Sequence, residues 1–158
     1  MGTTPKNRTI TLKVKAKDLF GLRGYPPTEG QIDDNTYLID DEGLESRYGA
    51  ANKDYLTLVY MDKDITWSIA LNDPKGEDLG YGVRLDYVRH TPNPGNPNFF
   101  DKEILNVDID TGKITGRISR DPDLENKDDS YTINFIVENI RTSKEFVLDP
   151  KLQIRKKN

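Results

Sequence analysis

The feature that most constrains the fold is a strict alternation of apolar and polar residues along much of the chain. Residues 9–17 show it most clearly, with apolar side chains at the even positions and only Thr or Lys at the odd ones. A period of two places successive side chains on opposite sides of a β-strand. One face of this strand is therefore predicted to meet a core and the other to meet water. Its Lys row is also typical of an edge strand that avoids pairing with other chains.

The same alternation predicts strands along most of the remaining chain. These lie at residues 55–61, 65–72, 82–89, 104–110, 114–120, 130–141 and 145–155. About eight short strands separated by turn sequences favour an all-β fold, an antiparallel β-sandwich with long loops. Trp67 falls on the same strand face as Ile65 and Ile69, so it is predicted to lie in the core.

Composition limits the class of protein further. A chain of 158 residues is the size of one ordinary domain, and we expect residues 1–158 to form a single sandwich. There is no Cys, which excludes disulfides, a thiolate nucleophile and Cys-based metal sites. No apolar run is long enough to span a membrane, and the N-terminus lacks the apolar segment of a signal peptide. We therefore expect a cytoplasmic protein without membrane contact, unless an export signal was removed.

Basic side chains are concentrated at the two ends of the chain. Residues 1–17 contain five basic and no acidic residues, and residues 150–158 contain four basic and no acidic ones. Because acidic residues outnumber basic ones 27 to 23 overall, the middle of the chain is strongly acidic. This acidic bulk disfavours nucleic-acid binding. Charge separation of this kind can guide copies of a chain into contact, and the predicted assembly face consists of Lys13, Lys15, Lys17, Arg155 and Lys156.

Residues 18–54 break the alternation and are predicted to form a long irregular excursion. A short strand at 36–39 and a helical turn at 42–48 are expected within it. Loops of this length inside a compact domain are usually functional or partly disordered. The excursion also contains hard oxygen donors suited to calcium, namely Asp33, Asp34, Asp40 and Asp41. The alternative is that these carboxylates are ordinary solvated loop residues, with no cofactor bound.

Catalysis has little support in the sequence. No nucleophile elbow, zinc-binding His-Glu motif, phosphate loop or dinucleotide fingerprint is present. His90 is the only histidine, and no Ser nearby is marked as an activated nucleophile. We therefore expect a protein that is not an enzyme. A small hydrolase using two carboxylates remains an alternative, although 27 acidic residues make chance pairs unavoidable.

Residues 90–100, His-Thr-Pro-Asn-Pro-Gly-Asn-Pro-Asn-Phe-Phe, form the most distinctive loop. Sugar sites on β-sandwiches combine aromatic rings with amide side chains on loops, because C–H faces stack on rings while hydroxyls need planar polar partners. The candidate glycan-binding residues are therefore Asn93, Asn96, Asn98, Phe99, Phe100, Tyr25 and Tyr37. The alternative is a stiff connector in which the prolines fix the backbone, the asparagines bond to turn groups, and one Phe anchors the loop.

The second half of the chain resembles a known family. The segments "MDKDITWSIAL", "PNPGNPNFFD" and above all "YTINFIVENIRTSKEFVLDPKLQI" are similar to bacterial inclusion-body proteins of the PixA/AidA type. Pro150, within the last predicted strand, indicates a bulge or an edge position. The resemblance covers about residues 55–155, whereas the basic "TITLKVKA" stands where the family has an acidic opening strand. It implies a non-enzymatic sandwich that accumulates or assembles in bacterial cells, with lectin-like sugar binding in some relatives.

These observations lead to one main hypothesis and two alternatives. The main hypothesis is a non-catalytic β-sandwich that acts by self-assembly or partner binding, with a second copy of itself as the partner. The first alternative is a carbohydrate-binding module with a glycan partner, and the second is the small hydrolase.

Overall fold

The computed structural model describes residues 4–155, and these fold into two β-sheets that face each other across one core. They form ten strands and two short α-helices, α1 (Ala16–Phe20) and α2 (Glu29–Asp34), which both lie between the first two strands. The strands are β1 (Arg8–Val14), β2 (Thr36–Asp40), β3 (Leu56–Val59), β4 (Asp64–Leu71), β5 (Gly82–His90), β6 (Ile104–Asn106), β7 (Ile114–Arg117), β8 (Asp128–Glu138), β9 (Ser143–Leu148) and β10 (Lys151–Ile154). The all-β sandwich prediction is therefore confirmed.

The smaller sheet has four strands in the order β2-β1-β4-β7. The larger sheet has six, in the order β3-β10-β8-β5-β6, and β9 pairs with β8. β8 is long enough to pair with both β9 and β10, which follow each other along the chain and are separated by Asp149 and Pro150. Pro150 therefore breaks the predicted last strand into two, because a proline has no N–H to donate to the ladder.

Several details of the predicted architecture are wrong. Residues 4–155 form ten strands rather than about eight, and the pairs β1/β4 and β3/β10 are parallel, so both sheets are mixed rather than antiparallel. β1 is paired on both sides and is not an edge strand. Residues 42–48 contain turns and an isolated bridge rather than a helical turn, while the two observed helices were not predicted.

The core fills the space between the sheets. One hydrophobic cluster contains residues of both sheets, and Trp67 lies at its centre as predicted. The Trp67 ring packs against Tyr131 and Phe100, and Trp67 Nε1 donates a hydrogen bond to the Tyr131 hydroxyl at 3.1 Å. A buried indole N–H needs such an acceptor, so this bond joins the two sheets in a fixed arrangement.

Both helices are short: α1 leads from the end of β1 into the excursion at 18–54, and α2 lies within it. Thr28 begins α2 with a capping box, in which its hydroxyl accepts from Gln31 N–H and the Gln31 side chain accepts from Thr28 N–H. The excursion is tied to β9 by the Tyr25 hydroxyl, which donates to the Glu145 carbonyl. No helix in the described part of the chain is long and apolar enough to cross a membrane.

Candidate functional site

The loop at 90–100 connects β5 to β6 and is fastened to the start of β8. The Asn96 side chain donates to the carbonyls of Thr91 and Ser130, at 2.7 Å and 2.9 Å, and accepts from Ser130 N–H at 2.8 Å. Asn98 bonds to the backbone of Lys102 and Phe100. These amides therefore satisfy turn backbone, as the connector alternative proposed.

Both aromatic residues of this loop point into the protein. Phe99 and Phe100 are buried in the core cluster, and Phe100 packs against Trp67. Neither of these two candidate residues therefore presents its ring at the surface for stacking on a sugar. Asn93 is the exposed member of the candidate set in this loop.

His90 also helps to hold the 90–100 loop against β8. Its Nδ1 lies 3.0 Å from Oδ1 of the buried Asp129, whose other oxygen accepts from Phe99 N–H at 3.1 Å. Burial raises the pKa of Asp129, and the bonds to Phe99 and His90 oppose that rise. The pair holds the loop against β8, which accounts for both side chains without a substrate.

The two candidate tyrosines lie apart from this loop. Tyr25 packs edge-on against Phe146 beside β9. Tyr37 lies on β2, on the outer face of the four-stranded sheet, with its ring 4.8 Å from that of Tyr48. Tyr37 and Tyr48 line a surface hollow of about 190 Å³ with Arg47. The seven candidate glycan residues are therefore not brought together into one site.

The four candidate calcium ligands are also dispersed. Asp33 accepts two hydrogen bonds from Asn52. Asp40 and Asp41 instead contact the buried Arg8, at 3.2 Å from Nη2 and 2.8 Å from Nε respectively. Within residues 4–155, no three acidic or His side chains are grouped closely enough to hold a metal ion.

The Arg8 cluster is structural in character. Its guanidinium is almost fully enclosed, and it also donates to the carbonyl of Leu58, so it connects β1 and the turn after β2 to β3. Burial alone would raise the pKa of Asp41, but the hydrogen bonds from Arg8 and Thr9 and the charge of Arg8 lower it. These contacts hold β1 and the end of β2 against β3, and removing Arg8 would leave carboxylates without their cation.

The predicted assembly face is divided between the two sheets. Lys13 projects outward from β1 beside Tyr37, and Lys15 Nζ lies 4.1 Å above the Tyr48 ring. Lys17 contacts Glu77, while Arg155 follows β10 in the other sheet. Lys156 lies outside the described residues.

The outer surface of the four-stranded sheet is polar and internally paired. The hydroxyls of Thr11 and Ser68 lie 3.0 Å apart, and those of Thr66 and Thr115 lie 3.1 Å apart. Cross-strand pairs of this kind satisfy their own hydrogen-bonding groups. These hydroxyls therefore form hydrogen bonds within the sheet and do not require a partner protein.

The outer surface of the six-stranded sheet differs from it. Because Ile133 and Phe135 of β8 point into the core, the alternate residues Thr132, Asn134 and Ile136 point outward. Their cross-strand neighbours complete a surface that we call the Asn134 face. It consists of Glu145 and Val147 on β9, Thr132, Asn134 and Ile136 on β8, and Arg84, Tyr87 and Arg89 on β5.

Asn134, at the centre of this face, is an unsatisfied polar residue. Its side chain is only 5% exposed, and its Nδ2 makes one long contact of 3.4 Å with the Tyr87 hydroxyl. No group among residues 4–155 donates a hydrogen bond to its Oδ1. Thr57 Oγ1 and Arg8 Nη2 also lack a hydrogen bond, although Arg8 has Asp40 as an ionic partner. An unpaired buried carbonyl costs about 1–3 kcal/mol. Of these three residues, Asn134 is the one on the outer surface of the six-stranded sheet.

Apolar side chains are exposed around Asn134. Val147 is 49% exposed, and Ile104 of the neighbouring β6 is 41% exposed. No sequence motif drew attention to this face. The signal available was a single amide at an outward position of β8, where Thr or a charged residue would be ordinary.

Comparison with known proteins supports the fold. No known family model matches the sequence, and no curated protein matches it. A solved structure does match: the inclusion body protein PixA from Burkholderia cenocepacia J2315 has a TM-score of 0.62, covering 96% of this chain and 97% of that one. The two sequences are 7% identical, so the likeness is one of fold. It confirms, at the level of the fold, the resemblance to inclusion-body proteins drawn from the sequence.

Proposed function

We propose that this chain is a non-catalytic β-sandwich protein that functions by self-assembly. The observation that supports this most strongly is the Asn134 face, where an unpaired buried carbonyl lies beside the half-exposed Val147 and between side chains of opposite charge. A protein surface packed on this face removes apolar area from water at about 25 cal/mol per Å². The fold shared with an inclusion body protein agrees with this proposal.

No ligand or cofactor is needed for this function. Asp33, Asp40 and Asp41 of the excursion contact Asn52 or Arg8, and the histidine contacts Asp129 beside its loop. We accordingly extend the proposal to a protein that accumulates in the cytoplasm and is not an enzyme.

Sedimentation velocity over a concentration series, from low micromolar to near millimolar, tests the proposal. We expect the weight-average mass to rise with concentration and to fall again on dilution. The expected contact is partly ionic, so the rise is larger at low salt. A protein that has the mass of one chain at every concentration and at low salt contradicts self-assembly.

Glycan binding is a second candidate function, favoured by the hollow between Tyr37 and Tyr48. The Tyr48 hydroxyl donates to Asn72 Oδ1 at 2.6 Å, which holds its ring in place, and Lys15 lies over the same ring. An aromatic ring beside charged and hydroxyl side chains can accept one sugar unit. A glycan array with and without calcium tests this function. Binding that the Tyr37→Ala variant loses and the Tyr25→Ala variant retains supports it, and no binder in either condition excludes it.

A further inference from the structure

We propose that the partner of the Asn134 face is the same face of a second copy, related by a two-fold axis that runs nearly parallel to β8. The inference rests on the proposed self-assembly and specifies its contact. Three properties of the face support it: the order of its charges, the position of its unpaired amide and its shape.

The charges of the face have opposite signs on the two sides of β8. Glu145 on β9 and Arg84 on β5 are both neighbours of Ile136, so they lie in one row with the central strand between them. A two-fold axis along β8 exchanges the two sides of the face. It therefore places Glu145 of one copy opposite Arg84 of the other, and this attraction occurs twice in the pair of copies.

These charges are available for a new contact. The only ionic partner of Arg84 within the described chain is Glu138, at a distance of 3.7 Å between Nε and Oε2, and both side chains are about half exposed. No ion pair of Glu145 is found among residues 4–155. An exposed pair of that length contributes little, so a second copy can replace it at small cost.

The next row of the face is complementary in the same way. Val147 and Tyr87 flank Asn134 on opposite sides, and the two-fold axis places the exposed Val147 against the partner's Tyr87 ring. Asn134 then lies opposite Asn134 of the partner subunit. Each amide has one N–H left after its contact with the Tyr87 hydroxyl, which suits the unpaired Oδ1 of the other. Since the oxygen is enclosed in a single chain, this exchange requires Val147 or Tyr87 to turn as the copies meet.

The shape of the face favours a second sheet over a small ligand. The surface hollows at Tyr37 and at the free edge of β3 near Leu56 lie away from this face. Facing sheets pack about 10 Å apart with their strands within about 30° of each other. Three strands and about seven residues of length give a contact of about 350 Å² per copy, or about 700 Å² in total. That is smaller than the interface of a permanent complex, so we expect weak and transient association, with a dissociation constant above the low micromolar range.

Charge reversal tests the arrangement directly. In the proposed dimer, position 145 of each copy lies opposite position 84 of the other. Glu145→Arg therefore places two arginines opposite each other at both contacts, and Arg84→Glu places two glutamates opposite each other at both contacts. Each single variant is expected to associate about 30-fold more weakly than the wild type, because two attractions become two repulsions. An equimolar mixture of the two variants restores both attractions between unlike copies, and so does the double variant.

Sedimentation velocity of each variant, of the mixture and of the double variant reads out the association. Glu77→Arg and Arg120→Glu, two exposed positions remote from the face, are the charge-matched controls and should behave as the wild type. Rescue in the mixture supports the proposal, because a misfolded variant cannot be rescued by mixing. If the wild type associates and the reversals have no effect, or if mixing restores nothing, this arrangement is wrong while self-assembly stands. If the wild type never associates, the proposed function itself fails.

Discussion

Replacing Asn134 by Val should make the isolated chain more stable, although most substitutions of buried residues are destabilising. The change removes an Oδ1 without a donor, whose burial costs about 1–3 kcal/mol, and it gives up a 3.4 Å contact to Tyr87 that contributes about 0.5 kcal/mol. A β-branched side chain also suits a strand. We expect a net gain of about 1–2 kcal/mol in the free energy of unfolding.

Urea unfolding followed by tryptophan fluorescence measures this change, since Trp67 is the only tryptophan and is buried. The experiment is performed at low concentration, where association does not contribute. In a thermal scan, each kcal/mol corresponds to about 2–4 °C for a chain of this length.

Asn106→Val is the matched control, because Asn106 lies beside Tyr87 on the same side of the sheet but is exposed. Its effect should remain within about 0.5 kcal/mol. If Asn134→Val instead lowers stability by more than about 1 kcal/mol, Oδ1 has a donor in the folded protein. The amide would then be an ordinary structural group, and the strongest observation in favour of a protein contact at this face would be removed.

Three further predictions concern the remaining structure. Asn96→Ala should cost about 2–3 kcal/mol in urea unfolding because it removes three partly buried hydrogen bonds, whereas Asn93→Ala, at an exposed position, should cost almost nothing. Equal costs would show that the loop is not held to β8 through Asn96. Arg8→Met should cost about 3–5 kcal/mol because it leaves carboxylates without their cation. The pKa of Asp41 is lowered in the folded state, so its ionised form stabilises the fold above about pH 3.9, and this stabilisation is lost as the pH falls through the folded pKa. Arg8→Met should therefore make the free energy of unfolding fall less steeply with decreasing pH in the acid range. Gly116→Ala should lower the thermal midpoint, because a Cβ there would lie 2.6 Å from Leu105 Cδ1 and 2.7 Å from Phe100 Cε1, and an unchanged midpoint would mean that the core is loosely packed at this point.

Alternation along the chain predicted most strands, because it records directly which side of each strand is buried. It could not predict that β1 pairs in parallel with β4, since neighbouring strands in space are chosen by the packing of the whole sheet. Similarly, the apolar residues on either side of Pro150 form one pattern in the sequence, and only the pairing with β8 shows that they belong to two strands.

The candidate site was predicted less well than the fold. The asparagines of the 90–100 loop were assigned on residue type, but amides that bind sugars and amides that satisfy turns have the same sequence. Phe99 and Phe100 are adjacent, which in a strand would place one outward, yet in this loop the backbone directs both inward. Asn134 was missed because a polar residue at an outward position is expected to be solvated, and its burial depends on neighbours from two other strands.

A distance measurement between two copies tests the central claim that the chain self-assembles through the Asn134 face. The protein has no Cys, so Asn106→Cys and Thr115→Cys each accept one nitroxide label. Asn106 is exposed on β6, beside the proposed contact, and Thr115 is exposed on the outer face of the four-stranded sheet. At concentrations where the protein associates, double electron–electron resonance should give a defined distance for the label at position 106. The distance at position 115 should be longer, because two additional sheet-to-sheet gaps of about 10 Å intervene. No dipolar coupling at position 106, or a shorter distance at position 115, would contradict the account.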